Sequence, residues 1–425
     1  MPACGLVAFL PLFVAADVQL AAGARVEARA GEMPLYAGAG SSGFVTAIVT
    51  PTAGILLNDQ RSESSVFYAP RLLWRDPPPL QARPLVFHSF VLTLHHRLTR
   101  RAELRLQLGG SYGDVDYVAL GQLLSSQTTI PSTTRLVAFD SQASLLWQAD
   151  RRTRLELGFK SMYRRFLNNV GSAASAVPAT IPTLLAQNVL RLEPQATRYV
   201  TRQDRLGISS ELAYYALTSS ATSEGSTRLS ALAWQPQIFW NNQGRSQLLW
   251  LRAGVAVAGR LGEAGISQSW TPLWPVGELG VAWLLREARG LEIRGELTAA
   301  SVWYLEPVLV AGIPRGLLTA SLDAHIGRRW RATLFGQFST DLTQNALIGT
   351  PNETLLIAGL PVRVRLSLSW FLEAGARYVE RAPHLSASDF AFRDRELYGY
   401  ARLAFLFHES LDQTRPRTEP GAVEQ

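Results

Sequence analysis

The ionisable side chains of this chain sit where alternation would put them. In "TRLELGFKSMYRRF", Thr153 to Phe166, Arg154, Glu156, Lys160 and Arg164 share one parity, and Leu155, Leu157, Phe159 and Tyr163 share the other. The same pattern gives one polar face to Arg105, Arg252, Arg260, Arg294, Arg331, Arg363, Arg365, Arg377 and Arg402. Glu292, Glu296, Asp341 and Glu373 stand beside them, with Glu103, Glu211 and Glu278 extending the set. This arrangement is expected to line an aqueous space. Rings of positive charge there would favour anions or acidic polymers. Interspersed signs allow a second reading, in which the charges cross-link and stiffen a wall.

Catalytic chemistry has weaker footing. The six histidines are His88, His95, His96, His325, His384 and His408. His95 and His96 are adjacent, so a strand sends them to opposite faces and they cannot share a metal. His325 shares a parity with Asp323 and Ser321, but a lipase of the membrane surface would need them on the lipid side, with an oxyanion hole. No Gly-rich phosphate loop, HExxH or spaced carboxylate cluster occurs. Cys4 is the only cysteine, which excludes an internal disulfide and a cysteine-built metal site. No enzyme activity, cofactor or metal is expected.

These side chains must be positioned by strands. Period-two alternation repeats in "AELRLQLGGSY", "LLWLRAGVAVAGRL", "LEIRGELTA" and "RATLFGQFSTD". Apolar residues make up 47% and charged residues 18% of the 425 residues, where about 25% charged is usual for a soluble protein. Yet no apolar run reaches the roughly 20 residues of a membrane helix. A membrane-like composition spread over alternating strands is what a transmembrane β-barrel gives. The strands read as about 13 to 17 residues long. That is too long for the strands of an ordinary sandwich, and suits tilted strands that cross a bilayer and protrude.

A short polar turn recurs between long strands, around Arg100, Arg151, Gln203, Gly244, Ala288, Arg328 and Trp370, with another at "NDQRSES". Longer connections rich in Ser, Thr, Ala and Pro alternate with these turns, as in "GQLLSSQTTIPSTT" and "NNVGSAASAVPATIPT". This predicts an all-β, up-and-down antiparallel barrel of about 18 strands (16 to 20), its short turns facing the periplasm and its long loops facing outside. Strands are expected from Ala24–Ala37 to Glu396–Phe407. Trp147, Trp234, Trp240, Trp250, Trp283 and Trp303 lie toward strand ends and suit interfacial girdles. Pro194, Pro236, Pro275 and Pro361 fall inside strands, where each removes a ladder hydrogen bond.

Residues 1–23 hold the apolar run "CGLVAFLPLFVAA" and are expected to be a signal peptide, although a basic start is missing. Residues 24–407 form the barrel, and the polar tail 408–425 is expected to be disordered. Formal charge is +7, but with no basic run or helix, so no nucleic-acid partner is expected.

The last strand, "ELYGYARLAFLF", resembles the assembly signal of outer-membrane barrels, although the chain continues beyond Phe407. The Ala/Arg/Leu-rich hairpins with "RR" turns resemble bacterial outer-membrane β-barrel proteins of the porin-like, high-GC proteobacterial and myxobacterial type. The resemblance is architectural and transfers no site residue. It implies an outer membrane of a Gram-negative bacterium, with lipid and the barrel-assembly machinery as partners. The expected function is a channel for small, anionic or carbohydrate solutes. Alternatives are a polysaccharide export porin, a surface-display barrel whose loops bind a ligand, and a barrel enzyme.

Overall fold

The computed structural model describes residues 17–34, 41–76, 84–116, 133–170, 183–221, 225–261, 273–286, 290–306, 311–342, 352–384 and 394–406. Residues 1–16, the long connections and residues 407–425 lie outside the described residues, and so do the expectations placed on them, while residues 17–23 of the expected signal peptide are described as part of the first strand.

Nineteen strand segments make one antiparallel sheet. They are β1 (Asp17–Pro34), β2 (Ser41–Asn58), β3 (Ser62–Tyr68), β4 (Arg71–Asp76), β5 (Leu85–Arg97), β6 (Ala102–Asp116), β7 (Thr133–Gln148), β8 (Thr153–Val170), β9 (Thr183–Tyr199) and β10 (Asp204–Ala221). The rest are β11 (Gly225–Gln243), β12 (Gln247–Leu261), β13 (Leu273–Arg286), β14 (Leu291–Glu306), β15 (Ala311–Ile326), β16 (Trp330–Asp341), β17 (Asn352–Arg365), β18 (Trp370–His384) and β19 (Asp394–Leu406). Neighbours in sequence pair in order, and β1 pairs with β19, which closes the sheet. Segments β3 and β4 both lie between β2 and β5 and form one interrupted stave, so the barrel has eighteen. β1 begins at Asp17, paired with Asn58, seven residues before the start expected at Ala24.

The exterior is apolar. Ile208, Ile238, Leu273, Leu279 and Leu285 are each 60% or more exposed. Contiguous apolar surface on that scale is not stable against water, whereas hydrocarbon accepts it. Leu279→Arg is therefore expected to cost about 2–4 kcal/mol if it sits near the bilayer midplane. Guanidinium unfolding in lipid vesicles measures this.

The short turns carry a device beyond their arginines. Asp150 Oδ1 accepts the amides of Arg152 (2.6 Å) and Thr153 (2.8 Å), and Thr201 Oγ1 accepts those of Gln203 and Asp204. Ser367 Oγ does the same for Ser369 and Trp370. A short oxygen at the first turn position thus satisfies amides that the ladder leaves over. Gly290 (φ 82°) and Gly327 (φ 61°) take the left-handed backbone that neighbouring turns need, and the Gly327 amide donates to the Gly290 carbonyl. The amide bonds of Arg152 and Thr153 hold the Asp150 carboxyl below the usual carboxylate range. Its contribution to the turn is complete above the unfolded pKa of about 3.9 and is lost as pH falls through the lower folded value. Hydrogen exchange at the Thr153 amide should quicken over that acid window, and Asp150→Asn should abolish the pH dependence.

The interior prolines have a shared solution. Each keeps its pairing to one neighbour and opens the ladder to the other. Pro194 pairs with Leu157 of β8, while the β9–β10 ladder skips from Gln195↔Ser209 to Leu192↔Leu212. Pro236 pairs with Ser210, while β11–β12 skips from Trp234↔Val257 to Gln237↔Gly254. Pro361 pairs with Gly375, while β16–β17 skips from Ala332↔Val362 to Phe335↔Gly359. Pro275 pairs with Val255, and the β13–β14 ladder stops at Gly277↔Ser301. The missing N–H costs a bond on one side only.

Candidate pore wall

Register brings the inward charges into rows that run from strand to strand. One row is continuous from β14 to β1. Glu292 stands opposite His325, His325 opposite Arg331, Arg331 opposite Arg363, Arg363 opposite Glu373, Glu373 opposite Arg402, and Arg402 opposite Glu27. Residues directly opposite share a face and approach within about 4.5–5.5 Å at Cβ. Alternation along each strand therefore becomes a belt around the lumen.

The strongest knot lies at the seam between the last and first strands. Arg402 Nε donates to Glu27 Oε2 at 2.7 Å, and Arg402 Nη1 lies 2.9 Å from Glu373 Oε1. Arg29 holds the other oxygen of Glu27, and the Tyr400 hydroxyl donates to Glu373 at 3.3 Å. Glu27 and Glu373 are 4% and 7% exposed, so these carboxylates depend on their arginine partner.

Most other inward charges are paired as well. Arg331 binds Asp323 through two nitrogens (2.7–3.0 Å), with Thr333 and His325 on the same carboxylate. Lys160 meets Glu193 at 2.9 Å, Arg252 meets Glu278 at 3.8 Å, Arg105 meets Glu103 at 3.3 Å and Arg154 meets Glu156 at 3.5 Å. Arg191, absent from the sequence-derived set, lies 3.6 Å from Glu211. Arg164 acts on Asp140 through space. Glu296 stands opposite Ser321 on β15, with Arg294 nearby. Exposed pairs of this kind contribute roughly 0–1 kcal/mol each. They fix side-chain directions more than they stabilise the fold.

Two residues of the sequence-derived set do not offer their charge to a lumen. Asp341 is enclosed with Arg315 at 2.9 Å, the side chains 10% and 6% exposed. Arg365 turns down to the carbonyls of Ser367 and Leu368 and ties the β17–β18 turn. Both follow from position, since each lies at a strand end where local partners compete. Arg260 is placed in β12 opposite Ala231, and its side chain lies outside the described residues. Arg363 stacks 4.0 Å over the Phe371 ring. Arg294 and Arg377 make no ion pair within 4 Å among the described residues.

The aromatic belt is partly as expected. Trp147, Trp234, Trp330 and Trp370 are exposed on the outer face, and Trp370 lies against Phe405 at 5.0 Å between ring centres. Two tryptophans differ. Trp250 faces inward and donates to Glu278 at 2.6 Å. Trp303 is buried inside the cylinder.

Ser62 and His96 make a pair missed in the sequence, with Oγ 2.6 Å from Nδ1. Ser62 is 4% exposed, which shields it from any substrate, so the pair ties β3 to β5. Among the described residues no group of three His, Cys, Asp or Glu could hold a metal ion.

No protein-family model matches the sequence, and no curated protein matches it. Solved structures similar to the chain include the copper transporter OprC (10% identity, 92% of this chain and 80% of that one, TM-score 0.48). The siderophore receptor PiuA from Acinetobacter baumannii is 11% identical over 91% of this chain and 81% of that one, with TM-score 0.49. OccK2 from Pseudomonas aeruginosa is 10% identical over 92% of this chain and 99% of that one, with TM-score 0.42. What the chain's own geometry establishes is an antiparallel barrel of eighteen staves, closed by β1 and β19 and sheathed in Leu, Ile and Val, which is the architecture of a membrane-spanning β-barrel.

Proposed function

We propose that this barrel is a passive channel that carries small hydrophilic solutes across the outer membrane, with a preference for anions. The observation that carries the reading is the row from Glu292 to Glu27. It places charged groups on the inner face of seven consecutive strands of a closed cylinder. Lipid covers the outside, and the barrel-assembly machinery is the expected route of insertion. The anion preference rests on Arg377, and to a lesser degree on Arg294, which stands opposite Asp323 and near Glu296; neither makes an ion pair within 4 Å among the described residues. Steady single-channel steps in planar bilayers, with a reversal potential toward the anion in a salt gradient, are the expected result. Cation selectivity would reject the preference.

A surface-display barrel is the second reading, favoured by the paired charges, which stiffen a wall without needing a solute. Electrical silence at every voltage would select it. A polysaccharide exporter needs a passage wide enough for a polymer, and the buried apolar cluster inside the outer half of this cylinder weighs against that use.

A further inference from the structure

The half of the cylinder nearer the long connections is not lined as the charge pattern alone would have it. On the inner face of β9–β13, Val189, Ala213, Tyr215, Ala231, Ala233 and Ala256 form one buried cluster. Trp303 of β14 belongs to the same cluster and is 2% exposed. Its ring meets that of Tyr215 edge-on, with centres 6.5 Å apart. Yet β10 and β14 are not neighbours, because β11, β12 and β13 stand between them. The contact therefore crosses the lumen as a chord.

Alternation would send Trp303 to the lipid, with Leu291, Ile293 and Leu297. Pro275 explains why it does not. The β13–β14 ladder ends at Gly277↔Ser301, so β14 beyond Ser301 is no longer tied to its outer neighbour. It keeps its partner on the other side, Val302↔Arg315 and Trp303↔Pro314. That side is anchored by the enclosed Arg315–Asp341 pair and by the Leu342 amide on the Pro314 carbonyl. Trp274 Nε1 donates to Ser301 Oγ, and Ser301 Oγ donates to the Pro275 carbonyl, which fixes the point of departure. A strand released on one edge and held on the other can turn about its axis, and burial of an indole rewards the turn.

We infer that Trp303 is the constricting residue of the lumen. It closes the outer half along the β9–β13 wall and leaves passage to the far side of its ring, toward Arg377 of β18. This rests on the channel reading, but its structural half can be tested alone.

The test uses the full-length barrel in a Cys4→Ser background with Ala231→Cys, which lies beside Tyr215 in the ladder. A water-soluble maleimide should label the parent slowly and Trp303→Ala at least about tenfold faster, since removing the indole uncovers the wall. Single-channel conductance of Trp303→Ala should rise about twofold or more, with a weaker anion preference, because the widened passage no longer runs close beside Arg377. Tyr215→Ala removes the other half of the contact and serves if Trp303→Ala does not assemble. Equal labelling in parent and variant overturns the inference whatever the conductance does. Faster labelling with an unchanged, measurable conductance also overturns it, because Trp303 would then pack without limiting passage. Faster labelling in a barrel that never conducts keeps the packing and sinks the channel reading instead.

Discussion

Arg402→Met should destabilise the barrel by about 3 kcal/mol or more, the usual cost of orphaning one side of a buried ion pair. Arg402 serves two carboxylates, and both are almost fully enclosed, with side chains 5% and 9% exposed. Removing it takes the 2.6 Å guanidinium contact from Glu27, which keeps Arg29, and the 2.9 Å contact from Glu373, which keeps the Tyr400 hydroxyl. The loss falls on β19 and β1, the pair that closes the cylinder, so it should show as slow or incomplete closure as well as lower stability. Gly31 makes the same seam intolerant, since a Cβ there would run into the Leu397 carbonyl and Tyr398. Urea unfolding in vesicles, followed by tryptophan fluorescence, gives the equilibrium effect. Adding Glu27→Gln and Glu373→Gln to Arg402→Met should recover most of it, because the penalty lies in the orphaned charges. A loss below about 1 kcal/mol for Arg402→Met alone would place this knot among ordinary solvent-screened pairs.

The alternating faces were legible in the sequence because a strand leaves no choice. Leu157 and Phe159 are exposed outside, while Lys160 is paired inside. The stave count was legible because Arg-bearing turns mark every second connection. What resisted reading were consequences of pairing partners far apart in sequence. Glu27 sits in "RVEARA", which alternates as clearly as any other segment, but its importance comes from Arg402, 375 positions away. The prolines looked like four separate defects, and only the ladder shows that each spends its loss on one edge. Trp303 obeyed the outward parity and still turned inside, since parity holds only while both edges of a strand are tied. Asp341 and Arg365 carried the right parity but lie at strand ends, where Arg315 and the turn carbonyls claim them. Alternation assigns the candidate wall to one face of the strands, while the division of its charges into spent and available depends on distant partners and could not be read from spacing.

That division sets the expected selectivity. Reversing Arg294 and Arg377 together, as Arg294→Glu with Arg377→Glu, should move the reversal potential from the anion side toward the cation side. Removing a whole pair, as Arg331→Gln with Asp323→Asn, should move it little. The asymmetry follows from partners. Arg331 and Asp323 present a compact dipole whose field falls quickly, and Thr333 and His325 occupy the same carboxylate. An unpaired arginine acts on a passing ion as a full charge, about 0.6 kcal/mol at roughly 7 Å in water. A reversal changes that by two units, and it acts with opposite sign on anions and cations, so several-fold changes in permeability ratio are expected at low salt. Above about 0.5 M salt the difference should shrink, as screening shortens the reach of both charges to a few ångströms. If Arg331→Gln with Asp323→Asn shifted selectivity as much as the double reversal, inward ion pairs would have to be open in the conducting barrel. Selectivity would then belong to the whole belt from Glu292 to Glu27 and not to the two unspent arginines.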